Sequence, residues 1–374
     1  MDFGLSEEQQ QLKSGAREFL RNECSTAAVV RKAMADPEGM PRELYRKMAE
    51  LGWTGLMIPE QFGGSGLGML DMAILLAEGG YAAMPGPFLF SSTLAAGALK
   101  LGGSEDLKRR WLPALADGSA IGTLAIVEEN DGLLPTDLSA HARRDGAGYV
   151  LNGIKMFVPY AHVADFVIVA ARAGADPNDI GFWLVERTTP GLSFRVLQNF
   201  DQTRRVCQLK LDGVAVPADA RLEGGAALLD HLLDIGAVAV ASDSLGGTER
   251  ALEMAVEYSK VREQFGKPIG SFQAIKHAAA DIVADLEPAR SLLWYAAYAQ
   301  DELPAEAPRA AAMAKARLSD IYSRAAGRSV FIHGGIGFTW EHDIHLWFKR
   351  ARFNESLFGS PVFHRERLAR LSGY

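Results

Sequence analysis

The sequence predicts an α+β multidomain fold: an N-terminal all-α domain over residues 1–120, a middle antiparallel β barrel or sandwich domain over 121–223, and a C-terminal long four-helix bundle over 224–374. Three observations predict it. Apolar residues recur at helical spacing through the first third, short β-branched and aromatic runs fill the middle, and the helical period returns beyond 224 and persists. At 374 residues and 48% hydrophobic composition, the chain has enough apolar surface for two or three packed cores.

The elements follow in order. In "SEEQQQLKSGAREFLRNE", Ser6 caps a helix and Gln9 reaches back to complete a capping box, while Leu12, Ala16, Phe19 and Leu20 form one stripe. "RELYRKMAELG" is the next helix, ended by Gly52. "LDMAILLAEGGYAAM" and "SEDLKRRWLPALADG" follow, the last with Ser104 as cap and Gly118 as stop. "IPEQFGGSGLG" is too rich in glycine to be anything but a loop. Strands are predicted at "IGTLAIV", "GYVLNG", "IKMFV", "ADFVIVAA", "GFWLVE" and "CQLKLDG", with turns and no helices between them. No GxGxxG follows a strand, which excludes the nicotinamide-binding fingerprint. Beyond 224 the runs starting at "AALLDHLLDIG", "SFQAIKHAAAD" and "APRAAAMAKAR" are long helices joined by short connections, the pattern of an antiparallel bundle.

Charge and cysteine use narrow the function classes. Lys and Arg number 39 against 46 Asp and Glu, a formal net charge of -7, so the whole surface has no attraction for nucleic acid or anionic lipid. Cys24 and Cys207 lack CxxC or Cys/His ligand spacing, which argues against a disulfide framework and a zinc site and for a reducing, cytoplasmic setting. "MDFGLSEEQQ" has no basic n-region or apolar h-region, and no apolar run reaches the ~18 residues of a membrane span. A soluble, unprocessed protein without nucleic-acid or membrane partners is expected.

The stretch "VREQFGKPIGSF" at 261–272 sets a cation, an amide, an aromatic ring and two glycines at a helix-to-helix turn. With "YVLNGIKMFV", "DGVAVPAD" and "HGGIGFTWEHD", in that spacing, it resembles the flavin-dependent acyl-CoA dehydrogenase family over nearly the whole chain. "DQTRRV" and "GFTWEHDIHLWFKRA" are similar to a heteromeric bacterial branch acting on bulky acyl-CoA thioesters such as steroid side chains, in which a complete and a degenerate subunit form an α2β2 tetramer. The resemblance implies FAD as cofactor, an acyl-CoA substrate and an electron-transfer flavoprotein as acceptor. It implies that the turn at Arg262 reaches the adenosine and pyrophosphate half of a neighbouring subunit's FAD. There a guanidinium and Gln264 hydrogen-bond the pyrophosphate, Phe265 lies beside the adenine and Gly266 lets the backbone turn closely. Gly334, Gly335 and Gly337 match a second loop that meets the dinucleotide with backbone amides. Phe157 corresponds to the ring beside the isoalloxazine, and Ser360 to a hydroxyl on the flavin side.

In this family a carboxylate removes the α-proton of the thioester while the β-hydrogen leaves as hydride to the flavin. Both positions where the resemblance places that carboxylate lack one: Phe358 stands at the first and Gly236 at the second, with Asp234 in register and Ala237 in place of a substrate-binding arginine. Pro159 and Phe331 replace a threonine and a glutamine, and "VEENDGLLPTD" lacks the family's hydroxyl and glycine-serine turn. The chain is therefore expected to be the degenerate partner of a complete subunit. Two alternatives stay open: a noncatalytic scaffold that completes another subunit's FAD site, and a self-sufficient homo-oligomer with a displaced base. For the last, Asp243 is the candidate, two helical turns beyond Gly236 and roughly 10 Å away on the same face; the plainer reading is a helix-interior Asp bonded to a polar neighbour. Glu355 is expected to be a solvated loop residue. Thr339 is expected to cap the helix carrying His342 and His345, which with His333 have no metal-site spacing. The basic run at 348–352 is expected at a helix C-terminus, where cations favour the macrodipole.

Overall fold

The computed structural model describes residues 4–374; Met1, Asp2 and Phe3, the start of the stretch read above for a leader, lie outside it. Helices α1 (Glu7–Glu23), α2 (Arg31–Ala35), α3 (Arg42–Glu50), α4 (Met69–Tyr81), α5 (Ala96–Gly102) and α6 (Glu105–Ala116) make the N-terminal part. The α1 cap forms as its residues dictate: Ser6 Oγ accepts the Gln9 amide at 3.2 Å, and Gln9 Oε1 accepts the Ser6 amide at 3.1 Å. Ser104 Oγ caps α6 through the Leu107 amide at 3.3 Å. Two π-helical turns, Thr26–Val30 and Leu89–Ala95, lead into α2 and α5; apolar spacing alone does not announce them.

Strands β1 (Gly122–Ala125), β2 (His141–Asp145), β3 (Gly148–Pro159), β4 (Phe166–Arg172), β5 (Ile180–Glu186), β6 (Leu192–Val196), β7 (Val206–Pro217) and β8 (Arg221–Leu222) form one sheet. Their order is β6-β7-β3-β2-β4-β5-β8, with β1 added on β4. Most pairings are antiparallel, but β1 and β2 both run parallel to β4, so the sheet is mixed. "GYVLNG" and "IKMFV" are one strand, because Gly153 carries a bulge opposite β7 instead of a turn. Its φ is +143°, and a Cβ there would lie 2.5 Å from that of Ala140. One face of the sheet closes on its own core around Trp183, Leu151 and Leu209.

The C-terminal part comprises α7 (Gly225–Val261), the short hairpin β9 (Glu263–Gln264) and β10 (Lys267–Pro268), then α8 (Gln273–Glu302), α9 (Ala307–His333), α10 (Ile344–Ser356) and α11 (Pro361–Leu371). The bundle draws in α4 from the N-terminal part. At the crossing a Cβ on Gly246 would stand 1.7 Å from the Ala77 carbonyl oxygen, so only glycine lets the two backbones approach this closely. One continuous apolar core therefore joins the N-terminal helices to the bundle. The chain enters α10 differently from expectation. Asp343 holds the N-cap position, while Thr339 Oγ1 donates to the Ile336 carbonyl at 2.9 Å inside the preceding 3₁₀ turn. Residues 340–343 form a further turn, and the Ile344 amide donates to His342 Nδ1 at 3.1 Å, so α10 starts past His342.

Candidate active site

The two positions that lack a carboxylate are one place approached from two sides. Gly236 lies within α7 and Phe358 in the turn between α10 and α11, and a Cβ on Gly236 would sit 2.7 Å from Phe358 Cγ. A phenyl ring thus fills the space in which either carboxylate would stand. Ala237 beside it is fully buried and uncharged. Asp234 is turned to another purpose, paired with Arg367 of α11 and itself 2% exposed. Ser360 Oγ accepts the Phe363 amide at 3.2 Å and so caps α11, with its hydroxyl hydrogen and one lone pair left over.

Asp243 does not reach this seat as an available base. Its carboxylate accepts from Arg350 Nε at 2.9 Å and Nη2 at 2.5 Å, from Arg204 Nη2 at 2.8 Å and from Asn354 Nδ2 at 2.7 Å. Burial alone would raise its pKa, but Arg350 and Arg204 overcome that and hold it down to about 2. An anion held this way is a poor proton acceptor, and bonded oxygens leave no approach for a substrate. The displaced-base candidate is corrected to a structural counter-ion, since two guanidinium groups close around it. Sequence reasoning missed Arg350, placing it among surface basics at a helix end; it lies mid-helix in α10 and is 1% exposed. Of its neighbours, Arg352 pairs with Glu355 at 2.8 Å and Lys349 lies 4.8 Å from the Trp340 ring centre. Glu355 is in the last turn of α10, not a loop, and also accepts from Ser323 Oγ at 2.8 Å. The legible signal was the "TRR" of "DQTRRV": Arg204 brings its charge from the β domain into the bundle, and Thr203 Oγ1 accepts from Arg350 Nη1 at 3.0 Å.

Where the resemblance places the flavin ring, Phe157 is half exposed at a left-handed φ of +54°. The strand behind it is fixed by a buried ion pair, Lys155 Nζ to Glu128 Oε1 at 2.7 Å, with Lys155 Nζ also donating to the Ile126 carbonyl at 3.0 Å. Burial brings the Lys155 ammonium down to about 8 despite the attraction of Glu128. Tyr160 is fully buried, its hydroxyl accepting the Gly86 amide at 2.8 Å and donating to the Thr203 carbonyl at 3.2 Å. Val127 and Pro159 offer no side-chain hydrogen-bonding group here.

The turn after α7 points outward. Phe265 is 91% exposed at φ +54°, edge-on to Phe272 at 6.1 Å. The Arg262 guanidinium has no ion-pair or hydrogen-bond partner among the described residues, and Gln264 Nε2 donates to the Glu263 carbonyl at 2.8 Å. At the far end of α9, a Cβ on Gly334 or Gly335 would meet nothing within 4 Å, and Phe331 beside them is 78% exposed; Gly337 is buried and packed on the Val330 carbonyl. An unpartnered cation, a free aromatic face and a glycine bend with open space before it suit an external nucleotide diphosphate. His333 donates through Nδ1 to the Ser329 carbonyl at 2.7 Å and stacks on Tyr258, while His345 stacks on Trp340. Among the described residues no cluster of three or more His, Cys, Asp or Glu side chains is arranged to hold a metal ion.

A helical domain, a mixed β domain and a long-helix bundle that carries this seat make the three-part fold of a flavoprotein dehydrogenase family. The acyl-CoA dehydrogenase family models match throughout: the N-terminal domain over residues 6–119, the middle domain over 123–214 and the C-terminal domain over 223–372. The chain belongs to the acyl-CoA dehydrogenase family, whose members are FAD-dependent. It is 35% identical over 366 residues to the acyl-CoA dehydrogenase IpdE2 of Mycobacterium tuberculosis, covering 98% of this chain and 96% of that one. Among solved structures it is similar to a chain of the ChsE4-ChsE5 complex of M. tuberculosis, at 31% identity and TM-score 0.92 with all of both chains covered. It is likewise similar to the Tcur3481-Tcur3483 steroid acyl-CoA dehydrogenase, at 31% identity and TM-score 0.88 over 98% of each chain.

Proposed function

We propose that this chain is the catalytically degenerate partner subunit of a hetero-oligomeric, FAD-dependent acyl-CoA dehydrogenase acting on a bulky acyl-CoA thioester. The observation that carries the proposal is the packing of Phe358 on Gly236, which leaves the seat of the proton-abstracting carboxylate without an acceptor and without room for one. FAD, when bound, supplies the hydride acceptor for α,β-dehydrogenation. What this chain retains is the outward half of the cofactor machinery: Arg262, Gln264, Phe265 and the Gly334–Gly335 bend, all set to meet a dinucleotide seated in another subunit. What it has thinned is the inward half, where Val127, Pro159 and Ala237 make few bonds to a flavin or thioester of its own. Its similarity to chains found in two-component assemblies supports the α2β2 arrangement, and the steroid description of one relative supports a ring-bearing substrate. An electron-transfer flavoprotein is the proposed electron acceptor.

The test is co-expression with a homologous complete subunit. Arg262→Ala in this chain is expected to weaken FAD retention by the complex by about 10- to 100-fold, the loss of charged hydrogen bonds to a pyrophosphate, read by flavin absorbance after gel filtration. Undiminished flavin in that variant would refute the assignment of the turn.

A further inference from the structure

The turn that carries Phe358 is held in an unusual shape by buried groups that no step above uses. Phe358 has φ +55° and Gly359 φ +99°, a left-handed bend that a bulky residue rarely adopts unless its surroundings impose it. The Phe358 carbonyl accepts from His364 Nε2 at 2.8 Å, and the Gly359 carbonyl accepts from Lys315 Nζ at 2.8 Å. Lys315 is fully buried on α9; its two other donors go to the Glu355 carbonyl at 3.2 Å and Ser319 Oγ at 3.1 Å. No carboxylate hydrogen-bonds it: Glu355 turns its carboxylate away, with Oε2 accepting from Ser323 Oγ and Arg352 Nη1. Gly359 admits no alternative, because a Cβ there would lie 2.5 Å from the Phe363 ring and 2.9 Å from His364 Nε2.

We propose that Lys315 and His364 are positioning residues for this turn, one donor on each of two successive carbonyls, holding the seat's backbone in a left-handed bend that any non-glycine residue at 358 would otherwise resist. A buried ammonium ligated only by carbonyls and a hydroxyl is expensive to keep, and burial brings its pKa down to about 7 against only partial compensation from Glu355 and Asp320. Filling that volume with hydrocarbon would be cheaper, so packing alone does not account for a lysine here. The three acceptors come from α9, the end of α10 and the turn, and only a multiple donor joins them. The proposal needs the geometry of the turn alone and survives if the chain proves to be a self-sufficient enzyme.

Hydrogen exchange read by mass spectrometry across residues 357–364 tests it in the purified protein. Lys315→Met is expected to speed exchange of that segment by about tenfold or more, the effect of losing charge-assisted bonds, while α9 stays protected and the melting temperature does not fall. In a Phe358→Gly background, where the bend needs no enforcement, the same change is expected to add little. Equal acceleration in both backgrounds, none in either, or a collapse of the whole chain's stability would each overturn the proposal by making Lys315 a core residue only. If Lys315→Met does not accumulate in soluble form, His364→Leu, which removes the donor to the Phe358 carbonyl, is read by the same two-background comparison.

Discussion

Asp243 sits between two guanidinium groups, with Arg350 Nη2 at 2.5 Å and Arg204 Nη2 at 2.8 Å, in a site almost closed to water. Removing a buried anion from such a trio leaves two cations facing each other. Asp243→Asn is therefore expected to destabilise the fold by about 3–5 kcal/mol, measured as the shift of a denaturant unfolding curve. The pH sign follows from its depressed pKa. Its stabilising contribution is fully present above the ordinary 3.8 and is lost as pH falls through about 2. Apart from the "TRR" of "DQTRRV", nothing in the sequence announces this network, because Asp243 and Arg350 are more than a hundred residues apart and each alone reads as an ordinary polar residue of a helix. The candidate seat was more legible: Phe358 and Gly236 are visible as residues that cannot accept a proton, and only their mutual contact needed coordinates.

Among the elements, α7 shows how a sequence pattern hides its own constraint. Its run from Gly225 to Val261 reads as one long apolar helix, and is one. The glycines within it look like weaknesses in a helix interior, yet Gly246 is where α4 crosses. Gly246→Ala would press a methyl group against the Ala77 carbonyl, and a melting temperature lowered by the equivalent of at least 1–3 kcal/mol, roughly the cost of overpacking, is the expected result. Strand β3 is the converse case. Both halves read as strand in the sequence and are strand, but Gly153 reads as punctuation because a bulge glycine and a turn glycine look alike along one strand; the partner strand decides between them. The parallel pairing of β1 and β2 with β4 was likewise beyond local pattern, since it depends on which distant strand each one meets.

Across the whole molecule, two buried lysines give stability a pH dependence of the same sign as that of Asp243 but in a higher window. Burial lowers Lys155 to about 8 and Lys315 to about 7 from an ordinary 10.5. The folded chain therefore sheds these protons before the unfolded one does. The penalty is complete below about 7 and is relieved as pH rises toward 10.5, so unfolding free energy should gain from these groups across that window. Lys315→Met should remove its share of the slope and raise stability at neutral pH, as read by urea midpoints across a pH series. The same scale governs function. The turn after α7 projects away from its own chain with Arg262 unpartnered among the described residues and Phe265 bare, while the seat between α7 and the α10–α11 turn is filled by a ring. The proposed function requires such a chain to complete a site it does not own. The most direct measurement is the flavin-to-polypeptide ratio, with turnover, of the protein purified alone and together with its homologous subunit. Fewer flavins than polypeptides in an active complex, with no turnover by the lone chain, is the predicted result; one flavin per chain with full dehydrogenation by this protein alone would contradict it.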